Sequence, residues 1–355
     1  MRHNGPKKIL VAPLNWGLGH ATRCIPIINA LVKQNFEPII ASDGNALALL
    51  QKEFPQLKKI DLPSYNITYS KKGNNFRKKL LFDSPHLLKT IKKENKLIKK
   101  LVKTEGISGI ISDNRFGVRA KGVPSVFITH QLKVLSGSTT WLSTKLHQKI
   151  IEKFDQCWVP DHKGEHNLSG DLGQSKIKAT ETKYLGPLSR FTKQNLEIKY
   201  DLLVVLSGPE PQRTYLEQKL FNELELFKGD ILFVKGLLEA TQTIEHKNHI
   251  TIYNFMTSND LEKAINESAL VLSRSGYTTI MDLAKLEKKA FFIPTPGQFE
   301  QEYLAKKLSE ERIIPSCNQD EFKVDMLNKL DEYTGFISNP FEIDFKKLFS
   351  LFKGK

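Results

Sequence analysis

Apolar positions follow two alternating rhythms along this chain. Short β-prone runs at residues 9–12, 38–41, 109–113, 125–129 and 156–160, with another ending near Leu185, punctuate the first half. Between them the spacing is helical, as with Ile25, Ile28, Leu31 and Val32 on one face. Residues 44–65 read as a helix and a short strand. The alternation restarts at 201–206 and continues through 231–234, 250–253, 270–272 and 290–294, with helices at 212–227 and 300–308. Continuously apolar strands separated by helices predict parallel sheets covered on both faces. A chain of 355 residues is too long for one ordinary core. Two such series therefore predict an α/β architecture of two Rossmann-like, doubly wound domains, 1–190 and 191–338, facing one another across a cleft. In 339–355, Phe341, Phe345, Leu348, Phe349 and Phe352 recur at helical spacing and predict a terminal helix returning to the first domain.

In open α/β sheets ligands sit at the carboxyl ends of strands, so the turns there carry the candidate chemistry. The most informative is the stretch 270–282. A buried strand, Leu270 to Leu272, breaks through Ser273, Arg274, Ser275 and Gly276 into a helix on which Ile280, Leu283 and Ala284 share a face. Backbone N–H groups at such a helix start, aided by the helix dipole, favour a phosphate. Asp282, about one turn further, lies within reach of a ribose hydroxyl. Small-residue turns at Ser207–Gly208 and the guanidinium of Arg190 extend this to a metal-free diphosphate site. In the first half, the loop Asn15, Trp16, Gly17, Leu18, Gly19, His20 follows the first strand, while Asp113 and His130 end later ones. His20 in a glycine loop at a strand edge is the candidate general base, with Asp113 and His130 the next candidates. A dinucleotide fingerprint is incomplete, because Thr22 stands where a third glycine belongs; Asp43 keeps a weak NAD reading open.

Charge sharpens the picture in one place. The net charge is +14, and residues 71–103 hold twelve Lys or Arg against Asp83 and Glu94. That segment accounts for +10, so the remainder is near neutral and a nucleic-acid surface is not expected. Leu87, Leu88, Ile91, Leu97, Ile98, Leu101 and Val102 make 85–104 a basic amphipathic helix. Such a helix is ordinarily packed on one side and solvated on the other; its local charge also suits an anionic membrane surface.

Other chemistries find little support. Cys24, Cys157 and Cys317 are far apart, which suggests a reducing compartment and no structural zinc. The pattern His162-x-x-Glu165-His166 falls among Pro160, Asp161 and Gly164, a loop rather than a zinc-binding helix. No Asp-x-Asp pair, Walker lysine motif or G-x-S-x-G occurs. No metal and no cofactor is expected. The N-terminal apolar run is too short for a signal peptide, and no stretch approaches a membrane span, so a cytoplasmic protein is expected, peripheral on the membrane's inner face if the basic segment docks.

Taken together, the chain resembles the GT-B glycosyltransferases, specifically the family 28 UDP-N-acetylglucosamine transferases that make lipid II. The resemblance rests on residues 15–20, Gly186 to Arg190, Leu206 to Gly208, Tyr253 to Met256, Ser273 to Asp282 and Pro294 to Tyr303. It spans nearly the whole chain and is weakest over 44–180. It implies an enzyme, a hexosyltransferase that takes a sugar from a UDP-sugar with inversion. Phe255 and the Met256 backbone would pack on and bind the uracil. Asp282 stands where the family has a ribose-binding Glu. Arg190, Ser207, Gly208, Ser275, Gly276 and the N–H groups of Tyr277, Thr278 and Thr279 would hold the diphosphate. Gln298, Gln301 and Glu302 would face the sugar, and Asn15, Gly17, Gly19 and His20 the acceptor, a glycolipid or saccharide. The family has two glutamines where this chain has Gln301 and Glu302, and small residues where it has Trp16 and Leu18. The sugar is thus open and the acceptor pocket differs. The alternatives are a nucleotide-sugar hydrolase or 2-epimerase of the same fold, or a non-catalytic nucleotide-binding homologue.

Overall fold

In the computed structural model, residues 5–65, 76–237, 239–337 and 342–354 are described, with backbone alone for 76–85 and Ser138. The described residues fall into two units. The first holds residues up to 188 together with the C-terminal segment, and the second holds residues 189–337.

The first unit runs β1 (Lys8–Pro13), α1 (Gly19–Lys33), β2 (Glu37–Ser42), α2 (Gly44–Glu53), β3 (Lys59–Asp61), α3 (Phe76–Glu105), β4 (Ile107–Asp113), β5 (Ser125–Ile128), α4 (Thr140–Ile151), β6 (Gln156–Val159) and β7 (Glu181–Tyr184). Its sheet has the order β3-β2-β1-β4-β5-β6-β7. All its neighbours are parallel, Val11 standing between Ile40 and Ile111. Leu10, Ala12, Ile39, Ile98 and Ile110 form a core under α3, and Phe127, Ile151, Phe154 and Val159 form another under α4. Hydrophobic side chains on both sheet faces are why the strands read as unbroken apolar runs.

The second unit runs β8 (Tyr200–Val205), α5 (Gln212–Leu224), β9 (Ile231–Val234), β10 (Ile244–Lys247), β11 (Ile250–Tyr253), α6 (Ser258–Asn266), β12 (Ser268–Ser273), α7 (Tyr277–Leu286), β13 (Lys289–Phe292) and α8 (Phe299–Glu310). The strand order is β10-β11-β9-β8-β12-β13. Here β12 lies between β8 and the edge strand β13, so the turn after it sits at the sheet's carboxyl edge, one strand in from its end.

Three features differ from the sequence expectation. Strand β10 pairs antiparallel with β11 and has all four residues exposed, so no apolar rhythm announces it. The basic helix begins at Phe76, nine residues before the position its periodicity indicates, and the lysines at 71 and 72 lie outside the described residues. The terminal helix is two short ones, α9 (Phe345–Leu348) and α10 (Ser350–Lys353). Phe349 and Phe352 are buried against Phe36 and Trp158, with centroids 5.9–6.3 Å apart. A Cβ on Gly109 would lie 2.4 Å from the Phe352 ring, so only glycine in β4 lets that ring seat.

Candidate active site

Four side chains meet at the carboxyl edge of the first sheet. His20 opens α1, Arg23 follows three residues on along the same helix face, Asp113 ends β4, and His130 lies just beyond β5. His20 Nδ1 is 2.9 Å from Asp113 Oδ1. Arg23 grips both carboxylate oxygens of Asp113 through Nε and Nη2, and its Nη1 donates to His130 Nδ1 over 3.1 Å. A guanidinium has no acceptor, so His130 Nδ1 must carry the lone pair. Arg23 Nη2 also lies 2.7 Å from His20 Nδ1. Asp113 and Arg23 are buried, whereas the His20 side chain is 13% exposed.

Burial alone would push the Asp113 carboxyl up. The charges and hydrogen bonds of Arg23 and His20 outweigh it and hold Asp113 at about 2. His20 Nδ1 thus lies between a carboxylate that only accepts and a guanidinium that only donates: a neutral ring with its Nδ1–H toward the ionised Asp113 keeps its lone pair on Nε2, and one that accepts from Arg23 carries its proton there instead. For His20 itself burial dominates and lowers the pKa below the ordinary value, despite the pull of Asp113. The result is an imidazole kept neutral near pH 7 and oriented by a carboxylate, the arrangement a general base requires.

The glycine loop is braced from behind. Asn15 Nδ2 donates to Asp43 at 3.2 Å, and Asn15 Oδ1 accepts from Ala46 N at the start of α2. Gly17 has φ +73°, in the left-handed region that favours glycine. Asp43 is in turn bonded to Arg115, whose Nε reaches the buried Glu94 on α3. That pairing accounts for an acidic residue after β2 without a ribose. The segment around His162, Glu165 and His166 is a loop folded round buried Asp161, which accepts from the N–H groups of His162, Leu168 and Ser169.

In the second unit, Gly276 caps α7 with extended backbone and no side-chain cap bond. The first helical bond runs from Ile280 N to Gly276 O, so residues 277–279 form an N-terminal turn without i−4 partners. Ser275 Oγ donates to the Gln301 carbonyl at 2.8 Å and ties the turn to α8. Gln301 Oε1 accepts from Thr295 N, and Glu302 Oε1 from Gly297 N, so these oxygens brace the β13–α8 loop. Gln298 caps α8 just beside them. Ser207 and Gly208 are exposed at the end of β8, with Gly208 at φ +108°. Asp282 is buried on α7, accepting from Ser189 Oγ at 2.6 Å and from the Arg190 backbone. Burial raises its carboxyl to about 6 against the pull of Arg190. Arg190 Nη1 donates to Ser258 Oγ at the start of α6, and its guanidinium lies 4.7 Å over the Phe191 ring. Phe255 and Met256, half-buried, follow β11, where Asn254 pins the 239–243 loop by bonding Thr243 N and Thr241 O.

Known proteins share this fold. The glycosyltransferase family 28 C-terminal domain matches residues 231–339. The UDP-N-acetylglucosamine–N-acetylmuramyl-(pentapeptide) pyrophosphoryl-undecaprenol N-acetylglucosamine transferase of Clostridium botulinum is 24% identical over 323 residues, 84% of each chain. Against the Haemophilus ducreyi enzyme of that name, 21% identical, the match spans about half of each: 56% of this chain and 54% of the relative. Acinetobacter baumannii MurG superimposes over 98% of this chain and 92% of its own, with 14% identity and a TM-score of 0.53. A spinosyn rhamnosyltransferase solved with thymidine diphosphate superimposes over 93% of each chain at 13% identity and a TM-score of 0.61. The chain has the GT-B fold of these glycosyltransferases, and its second half resembles family 28.

In this chain the three candidate catalytic residues, His20, Asp113 and His130, lie in one cluster. Sequence reasoning misses Arg23, which joins them, although its i, i+3 spacing from His20 on a helix is a readable signal. It misses Arg274 as well, which sits between β12 and α7 but is wholly buried. Among the described residues, no group of three or more His, Cys, Asp or Glu comes together that could hold a metal ion.

Proposed function

We propose that the protein transfers a hexose from a UDP-sugar to an acceptor hydroxyl by direct, inverting displacement, without a metal ion. The observation that carries this reading is the His20–Asp113 pair: a neutral, partly exposed imidazole oriented by a carboxylate held ionised. A sugar or lipid hydroxyl must lose its proton as it attacks the anomeric carbon, and His20 Nε2 is positioned to accept it. The nucleoside diphosphate leaves well once its charge is held, so no acidic side chain need protonate it. The first turn of α7, the Ser207–Gly208 loop and Arg190 suit that charge. Asp282 suits the ribose, Phe255 and Met256 the uracil, and the loop braced by Gln298, Gln301 and Glu302 the sugar. Asn15, Gly17 and Gly19 shape the acceptor loop. The names of the relatives, which specify a UDP-sugar donor and a lipid-linked acceptor, support the same substrate classes.

Calorimetric titration with UDP in EDTA tests the donor half. Binding should persist, and strict dependence on Mg²⁺ would sink the metal-free reading. Asp282→Asn should weaken UDP but leave pyrophosphate unchanged. It should also not destabilise the unliganded protein at pH 7.5. A carboxyl raised from 3.8 to about 6 on folding holds a proton that the unfolded chain releases, so its contribution to stability falls as pH rises through 6. The neutral amide escapes that loss. A marked fall in the variant's unfolding midpoint would contradict this account of Asp282.

An acceptor in a membrane would also give the basic helix a use. On α3 the residues Thr90, Glu94 and Ile98 face inward, while Lys89, Lys92, Lys93, Lys96, Lys99, Lys100 and Lys103 are all exposed. Near an anionic bilayer each contributes roughly 1 kcal/mol, screened by salt. Vesicles containing anionic lipid should therefore sediment the protein at low salt and release it at high salt. Equal sedimentation with neutral vesicles would refute docking through these lysines.

A further inference from the structure

Arg274 is fully buried between β12 and the Ser275–Gly276 turn. Its Nη1 donates to the carbonyls of Ile293 and Pro294, at 3.2 and 3.0 Å. Its Nη2 donates to the Gln212 carbonyl at 2.9 Å and to Gln319 Oε1 at 2.7 Å. All four acceptors are neutral, Nε has no partner, and among the described residues no carboxylate pairs with it. Burial, unopposed by any acidic neighbour, lowers its pKa to about 10. A guanidinium shut away without a counter-ion is costly, and neutral donors would serve to tie carbonyls together. Its place supplies a reason for the charge. Gln212 begins α5 just beyond the Ser207–Gly208 loop, Ile293 and Pro294 lead from β13 toward α8, and α7 begins three residues after Arg274 itself. On the same loop Thr295 is buried with an unpartnered Oγ1, 3.6 Å from where a Cβ on Gly208 would lie. The uncompensated cation thus stands three residues before a helix that has no acidic residue in its first turn, and the orphaned hydroxyl belongs to the residue after Pro294, whose carbonyl that cation holds.

We propose that Arg274 is the fixed counter-charge for the donor's diphosphate. It is a positioning residue that holds the loops on either side of α7 and supplies, from behind the Ser275–Gly276 turn, the positive charge that a bound diphosphate neutralises. This rests on the donor reading above, but its test separates the two. Calorimetry in EDTA would compare uridine, UDP and inorganic pyrophosphate on the parent, Arg274→Gln and Arg274→Lys. The glutamine variant should lose about 10- to 100-fold in affinity for UDP and pyrophosphate, the range for a hydrogen-bonded charge, with uridine within a few-fold. The lysine variant should retain pyrophosphate at pH 6 and lose it by about pH 9, because a buried ammonium sheds its proton far below the usual range. The parent should lose much less over that interval. The lysine variant decides the matter even if Arg274→Gln does not fold. Uridine falling in step with UDP, or a lysine variant with the parent's pH profile, would overturn the proposal and leave Arg274 a loop brace. Pyrophosphate binding that depends on Arg274 in a protein indifferent to UDP would uphold it and overturn the uridine nucleotide instead. A parent that binds neither anion overturns both.

Discussion

His20→Ala is expected to lower turnover by about 10²–10⁴, the usual contribution of a positioned base, while leaving UDP affinity unchanged. The split follows from where the residue stands. His20 belongs to the first unit and the UDP-binding residues proposed here belong to the second. Its burial-lowered pKa also sets the pH profile. Activity should fall on the acid side as the imidazole protonates, with that limb below 6.5, the ordinary histidine value. His20→Gln, which can neither accept the proton nor become charged, should lose the limb along with the turnover. A variant within a few-fold of the parent would remove His20 from the chemistry, and His130, whose Nδ1 lone pair is taken by Arg23, would not replace it as base.

Asp113→Ala should cost stability as well as rate. Asp113 is completely buried and is the carboxylate that neutralises Arg23, itself only 2% exposed. Removing one partner of such a pair leaves a buried charge uncompensated, typically at about 3–5 kcal/mol. The sign with pH follows from a carboxyl at about 2 in the folded protein against an ordinary aspartate value of 3.8. Its contribution is complete above about pH 4 and is lost as pH falls toward 2. The gap in stability between parent and variant, read from urea unfolding, should therefore be wide at pH 7 and narrow in acid. Adding Arg23→Met to Asp113→Ala should recover part of the loss, because the orphaned cation is gone. A loss below about 1 kcal/mol at pH 7 would mean that the interior tolerates Arg23 unpaired, against the general cost of buried charge.

Much of the fold is legible because buried parallel strands are continuous apolar runs and the helices between them keep a 3.6-residue stripe. The elements that escape are those whose stability comes from neighbours. Strand β10 is polar and exposed and exists by pairing with β11. The C-terminal helices form where Gly109 leaves room for Phe352. At the site, residue types at strand ends pick out His20, Asp113 and His130 before any contact between them is visible. Arg23 and Arg274 do not stand out, because a guanidinium buried by tertiary packing looks in sequence like any surface arginine. Nor does the sequence show that oxygens of Gln301 and Glu302 are taken by loop backbone, or that Asn15 braces Asp43 and α2. Those bonds are set by how the strand-end loops pack, which no local pattern of residue types records.

The most direct test is UDP release from a panel of UDP-hexoses in EDTA, measured with and without a membrane lipid extract as acceptor. The account predicts that one UDP-sugar is consumed only when acceptor is present, that label from the sugar appears in the acceptor with β-configuration from an α-linked donor, and that His20→Ala abolishes both. Release of UDP at the same rate without acceptor, with free sugar as the product, would contradict glycosyl transfer and make the protein a nucleotide-sugar hydrolase.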